Sequence, residues 1–164
     1  MAVPRLPPRV VAALAGSGAM AIAATFIDVH EGLELQAYQD GAKVWTICRG
    51  HTKGVKPGMR ATVDECDRLF AADLAQTFAE VDGLVSVPMS DPRRAAVASF
   101  VYNFGAAKFS DSRLRRKLNA GDASACGEFL RWRYMAGFDC SAKGNTVCAG
   151  LWTRRQQEYQ LCQR

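Results

Sequence analysis

The sequence predicts an α+β fold, mostly helical, with one small antiparallel sheet and a long helix able to join two lobes. Three observations carry this. Asp40-Gly41 reads as a hairpin turn between the arms Leu35–Gln39 and Val44–Ile47. A helix-period run follows a capping box and spans Val63–Asp82, about 30 Å at 1.5 Å per residue. A second run, Pro92–Phe104, is too apolar to lie on a surface. The 164 residues make one domain's worth of chain, and 49% hydrophobic residues are enough for a core.

The chain opens with Arg5, Arg9 and three prolines, followed by an uncharged run from Val10 to Ile27. Its 18 residues are just long enough to cross a bilayer as a helix. Eleven of the 18 are Ala, Gly, Ser or Thr, with Ala15, Ala19 and Ala23 on one helical face, so a membrane would hold the segment weakly. Three readings stand side by side: a signal peptide cleaved after Ala21-Ile22-Ala23, a permanent anchor, or an anchor that later leaves the membrane intact. In each, the absence of basic residues between Arg9 and Lys43 keeps the N-terminus cytoplasmic and exports the remainder. Export places Cys48, Cys66, Cys126, Cys140, Cys148 and Cys162 in an oxidising compartment, where six cysteines allow 15 pairings. Zinc is disfavoured, because no CxxC pair occurs and His30 and His51 are the only histidines.

Beyond the hairpin, Lys53–Ala61 is a loop rich in Lys, Gly and Pro. Thr62 and Glu65 then form the capping box of the long helix, whose Leu69, Phe70, Leu74, Phe78 and Val81 recur at helical spacing. Ser90-Asp91-Pro92 caps the next helix, which carries Ala95, Val97, Ala98, Phe100 and Val101 and is expected at the centre of the second lobe. Shorter helices are expected over Ser112–Asn119, Ala123–Tyr134 and Gly150–Cys162, with Gly121-Asp122 and Gly137–Thr146 as loops. Trp132, Tyr134 and Trp152 read as core aromatics rather than sugar-stacking residues.

Glu31 ends an amphipathic run and Asp40 sits in the hairpin turn. Taken by spacing alone, they are a solvated helix end and a turn aspartate. In company they mean more. Glu31-Gly32, Tyr38, Asp40, Trp45-Thr46-Ile47 and Gly50-His51-Thr52 resemble the glutamate, aspartate and threonine signature of phage lysozymes, the T-even muramidases and their lambdoid endolysin relatives. The resemblance runs from about Val29 to the C-terminus. Gly150-Leu151, Arg154-Arg155 and Glu158 are similar to the same family's closing motif GLxxRRxxE.

The resemblance implies a lysozyme-like two-lobe fold over residues 28–164, preceded by a signal-anchor-release segment over residues 1–27. It implies Glu31 as general acid, Asp40 as the ionised partner, and Thr46 as a hydroxyl that helps hold the attacking water, with inversion at the sugar. His51 and Asp73 are expected as a structural ion pair, Arg154 as the partner of Glu31, and Tyr102 and Asn103 as substrate-binding residues at a cleft corner. Asn103 as a plain helix cap before Gly105 stands beside that reading. The family layout pairs Cys48 with Cys66, Cys140 with Cys148, and Cys126 with Cys162.

The substrate implied is peptidoglycan, cut at the β-1,4 bond between N-acetylmuramic acid and N-acetylglucosamine for host cell lysis. No metal or organic cofactor is implied. Residues 10–27 would lie in inner-membrane lipid before release to the periplasm, and the enzyme would act as a monomer. The net charge of +5 suits anionic phospholipid and the bacterial wall, whereas the dispersed Lys and Arg and the lack of a motif argue against nucleic acid. Two rival functions remain on the sequence. One is a lytic transglycosylase, which needs the glutamate alone and leaves anhydro-sugars; the other is an inactive wall-binding module, which a lysis assay would expose.

Overall fold

A computed structural model describes residues 4–14 and 18–164 of the chain. Ala15 and Gly16, which belong to the small-residue run noted above, lie outside the described residues. The elements in order are α1 (Pro8–Ala13), α2 (Ala19–Glu31), β1 (Glu34–Gln39), β2 (Trp45–Cys48), α3 (Val63–Leu84), α4 (Asp91–Phe104), α5 (Ala106–Ser110) and α6 (Arg113–Asn119). A 3-10 helix (Ala125–Arg131), β3 (Tyr134–Met135), β4 (Phe138–Asp139) and α7 (Ala149–Cys162) complete the chain.

Two hydrophobic cores divide the molecule. The small one gathers Ala37, Ile47, Cys48 and Cys66 beneath the β1–β2 hairpin. Strand periodicity explains it: Ala37 and Ile47 point to one face, while the cross-strand pair Tyr38 and Thr46 points to the other. The loop Lys53–Ala61 adds an unforeseen third edge, since Ala37 N–H donates to the Met59 carbonyl and Ala61 N–H to that of Leu35, each at 2.9 Å. The large core surrounds α4, of which every residue from Ala95 to Val101 is buried.

α3 joins the two lobes. Its capping box is complete, with Glu65 N–H donating to Thr62 Oγ1 at 3.2 Å and Thr62 N–H donating to Glu65 Oε2 at 2.7 Å. Ser90 caps α4 by accepting from Arg93 N–H at 3.3 Å, with Pro92 in the first turn. The hairpin is fixed to the helices through Arg49, whose guanidinium donates to Asp28 at 2.7 Å and to Asp67 at 2.8 Å. Its carbonyl accepts the Tyr102 hydroxyl at 2.6 Å.

The run Val10–Ile27 is not one helix: α1 stops at Ala13 and α2 starts at Ala19. Among the described residues, no helix is long and apolar enough to cross a membrane. Leu6, Val10, Ala19, Ile22, Ala23, Phe26 and Ile27 are instead buried in the large core. Pro4 and Arg5 are tied to α7, where Gln157 donates to the Arg5 carbonyl at 2.6 Å and Gln160 to that of Pro4 at 2.7 Å.

Three expectations need correction. Ala123–Tyr134 is not an α-helix; only Ala125–Arg131 is helical, in the tighter 3-10 form. Gly127 at its middle weakens α-helix, and the segment is pinned by Cys126–Cys162 and by Glu128, which pairs with Lys117 at 2.8 Å. The small sheet is not alone, because β3 and β4 pair across Ala136 and Gly137, both at positive φ as a two-residue hairpin turn requires. Finally, the expected loop Gly137–Thr146 contains β4, and α5 occupies five residues after Gly105 for which no element was expected.

Candidate active site

Glu31 is the last residue of α2, and Gly32 at φ 70 ends the helix there. The Glu31 side chain is about one-fifth exposed, and its Oε1 accepts from Arg154 Nη1. That contact joins residues 123 positions apart, and among the described residues Oε2 has no hydrogen-bond partner. Gly50 lies beside that oxygen. A β-carbon on it would stand 3.4 Å from Glu31 Oε2 and 3.7 Å from the Tyr102 ring, and its φ of +88 disfavours a side chain in any case. The free oxygen of the acid therefore meets bare backbone.

Behind Glu31 lies a buried, charge-balanced network. Arg154 Nε approaches Glu158 Oε1 at 3.3 Å, Arg155 Nη2 donates to the same oxygen at 2.7 Å, and Ser99 Oγ donates to it at 2.7 Å. Two guanidinium groups, Arg154 and Arg155, thus face two carboxyl groups, Glu31 and Glu158, with Arg155 and Glu158 wholly buried. The rest of the Arg155 guanidinium lies over the rings of Phe104 at 4.8 Å and Phe100 at 5.2 Å. Burial draws Arg155 down to about 10, still charged at neutral pH, and burial pushes Glu158 up.

Asp40 sits where β1 turns. Its Oδ1 accepts from Ala42 N–H at 2.9 Å and Val44 N–H at 2.8 Å, an Asx turn that sets the hairpin bend. Thr46, 3% exposed, donates its hydroxyl to the Val44 carbonyl at 3.0 Å and keeps lone pairs free to accept. Tyr38 stands across the strand from Thr46. Its phenol is raised first by burial and then by the negative charges of Glu31, Glu34 and Asp40, so both candidate carboxylates act on one hydroxyl.

His51 Nδ1 lies 2.6 Å from Asp73 Oδ2, and its Nε2 lies 3.0 Å from the Lys53 carbonyl, which orients the turn after β2. Tyr102 has its hydroxyl engaged with Arg49 and its ring edge-on to Phe70 at 5.9 Å, so it joins the lobes. Burial raises its phenol, with Asp73 and Glu31 adding to the effect. Asn103 is exposed and lines a cleft of about 360 Å³ together with Glu31, His30, Arg154, Met135 and Val147. The six cysteines are joined as Cys48–Cys66, Cys126–Cys162 and Cys140–Cys148, the pairs that the resemblance implies.

Several contributors had no local signal. Ser99 is one serine in an apolar helix, Arg49 one basic residue after a strand, and Met135 and Val147 lie just past the expected helix Ala123–Tyr134 and the expected loop Gly137–Thr146. Among the described residues no group of three or more His, Cys, Asp or Glu is placed to hold a metal ion.

The chain is similar to known phage lysozymes and endolysins. The family model described as phage lysozyme matches residues 28–158. A SAR-endolysin of Escherichia phage 933W is 40% identical over 153 residues, covering 90% of this chain and 86% of that protein. A probable prophage lysozyme of Escherichia coli K12 is 40% identical over 159 residues, covering 92% and 89%. Among solved structures, the muramidase domain of SpmX from Asticaccaulis excentricus superposes with a TM-score of 0.72 at 30% identity, covering 85% of this chain and 93% of that one. A mutant of P22 lysozyme superposes with a TM-score of 0.66, also at 30% identity, covering 85% and 93%.

Proposed function

The chain belongs to the phage lysozyme family and is a glycoside hydrolase of the muramidase type; from that premise we propose that it hydrolyses the β-1,4 bond between N-acetylmuramic acid and N-acetylglucosamine during host lysis. The observation that carries the reading is the pairing of Glu31 with Arg154. It holds one carboxyl oxygen and leaves the other unpartnered beside Gly50, free to carry the proton that the bridging oxygen takes. Asp40 remains ionised and faces the positive charge that grows at the sugar. An attacking water donates one hydrogen to Asp40 and the other to the Thr46 oxygen, which aims its lone pair at the anomeric carbon. The chemistry so arranged is inverting, which calls for carboxyl groups roughly 6.5–9.5 Å apart. Asn103 offers its amide to an acetamido group of the strand.

The test is turbidity loss of chloroform-treated Gram-negative cells, joined to mass spectrometry of the products. Glu31→Gln is expected to reduce the rate by at least about 100-fold, because an amide has no proton to give. Asp40→Asn keeps an oxygen to accept from Ala42 and Val44, so the fold should persist while activity falls comparably. Full activity in both variants, or anhydro-sugar products, overturns the mechanism.

The same reading covers control. Residues 10–27 are held in the inner membrane with the N-terminus cytoplasmic and leave it intact, after which the enzyme works in the periplasm as a monomer. Support comes from the continuity of α2, which carries part of the segment and Glu31 in one helix. While that part is in lipid, Ile22, Phe26 and Ile27 are missing from the core, and the acid has no fixed position beside Arg154. The structure described is accordingly read as the released form.

A further inference from the structure

Tyr134–Cys148 is a stretch for which the reaction described above has no use. It carries four exposed apolar side chains: Tyr134 at 59%, Met135 at 43%, Phe138 at 48% and Val147 at 61%. Grouped apolar surface of this kind marks contact with a ligand or partner. Met135 and Val147 stand in the wall of the cleft that holds Glu31, Asn103 and Arg154. These two, Met135 and Val147, therefore open onto the reaction site.

The stretch is also built to keep its shape. Cys140 is bonded to Cys148, and Cys140 N–H donates to the Arg133 carbonyl at 2.7 Å. Asp139 Oδ1 accepts from Ser141 N–H at 2.9 Å and Ser141 Oγ at 2.6 Å. Asn145 donates to the Asp139 carbonyl at 2.8 Å and accepts from Val147 N–H at 2.8 Å. Arg133 lies over the Tyr134 ring at 5.4 Å. A surface already ordered binds without losing further conformational entropy.

We propose that this disulfide-closed wall grips the glycan strand, with Met135 and Val147 against sugar faces and acetyl methyls, and that the Cys140–Cys148 bond sets affinity for the strand. The proposal rests on the muramidase reading. Its occupant follows from continuity, since a strand whose bond is broken at Glu31 extends along the same cleft in which Met135 and Val147 stand. Sugar faces present C–H groups and the acetyl groups present methyls, which suit an apolar wall, while Asn103 is at hand for the amides. Cys140 and Cys148 act through the wall and are positioning residues. Cys148 is the N-cap of α7, and α7 is separately held by Cys126–Cys162 and by the Arg154, Arg155 and Glu158 network. Opening Cys140–Cys148 frees the wall and leaves the acid in place.

The experiment measures binding apart from turnover. In a Glu31→Gln background, co-sedimentation with purified Gram-negative sacculi is compared for Met135→Ser/Val147→Ser and for Cys140→Ser/Cys148→Ser. Each pair is expected to weaken binding roughly tenfold, the scale on which small apolar contacts discriminate. With Glu31 present, each pair should raise KM by a similar factor, hold kcat within about twofold, and leave the melting temperature within a few degrees. Unchanged binding in the Met135 and Val147 pair overturns the wall; a fall in kcat at constant KM, or a collapse in melting temperature of the cysteine pair, overturns the role given to the disulfide. If the parent enzyme releases no sugar reducing ends from sacculi, the muramidase reading fails by itself, and the sedimentation series still decides whether the wall binds.

Discussion

At the residue scale, His30 shows how placing the acid shapes its neighbour. Its ring packs on Phe26 with centroids 4.7 Å apart, and its Nε2 is buried without a hydrogen-bond partner among the described residues. Burial first, then the charge of Arg154, lowers its pKa to about 4, with Gln157 opposing and Arg155 adding to the effect. The folded state keeps His30 neutral, while the unfolded chain protonates it near 6.5, so acid favours unfolding. The contribution is intact above pH 6.5 and is lost as pH falls toward 4, about 2 kcal/mol at pH 5 and about 3 kcal/mol below pH 4. Exposed Asp122 and Asp139 are held below their ordinary values and act at lower pH. Urea midpoints at pH 7.5 and pH 5 should therefore lie closer together in His30→Gln than in the parent, and equal differences would contradict this account.

At the element scale, α7 does two jobs with one face. Arg154 reaches forward to Glu31, and Arg155 reaches back into the core against Phe100 and Phe104. Glu158 compensates both cations from the next turn, held by Ser99 of α4. Removing only the carboxylate strands Arg155 in an apolar core, so Glu158→Ala should cost about 3–5 kcal/mol. Arg155→Met with Glu158→Met removes both charges at similar volume and should cost much less. Chemical denaturation distinguishes the cases, and equal losses from the single and double changes would show that the charges are not coupled.

At the scale of the whole molecule, the release proposed above requires the N-terminal segment to suit two environments, lipid before release and the core afterwards. Its small residues serve both: they insert weakly, and Ala19 and Ala23 pack closely within the core. Making the segment more apolar should tip the balance toward lipid. Gly18 has φ near −67, and among the described residues no atom lies within 4 Å of a β-carbon position there, so the backbone accepts a residue with a side chain. Gly16 lies outside the described residues. Gly16→Leu with Gly18→Leu adds roughly −0.3 to −0.6 kcal/mol of insertion energy per leucine at the helix centre. The expected outcome is full-length protein retained in the membrane fraction, without lysis, after the potential is collapsed. A soluble parent protein that begins near Ala24 by mass spectrometry would identify a cleaved signal peptide and end the release account.

The long helix with its capping box, the capped and buried α4, and the Asp40 turn were legible from the residues alone, because a cap or turn is decided by groups within three or four positions. The resemblance around Glu31, Asp40 and Thr46 supplied the candidate chemistry, and three-dimensional placement supplied what surrounds it. Nothing local distinguishes Arg155 from a surface arginine; it is buried because Phe100, Phe104 and Glu158 converge on it from two helices. The second hairpin was missed because its turn is Ala136-Gly137 rather than Asn-Gly, and the 3-10 segment because its length is set by Cys126–Cys162 and Lys117–Glu128. The split of the N-terminal run into α1 and a helix that ends at Glu31 was likewise settled by the core it enters. Local signals specify which backbone groups are satisfied nearby, whereas burial of charge and the seat of the acid depend on partners up to 123 residues away, which only the folded chain brings together.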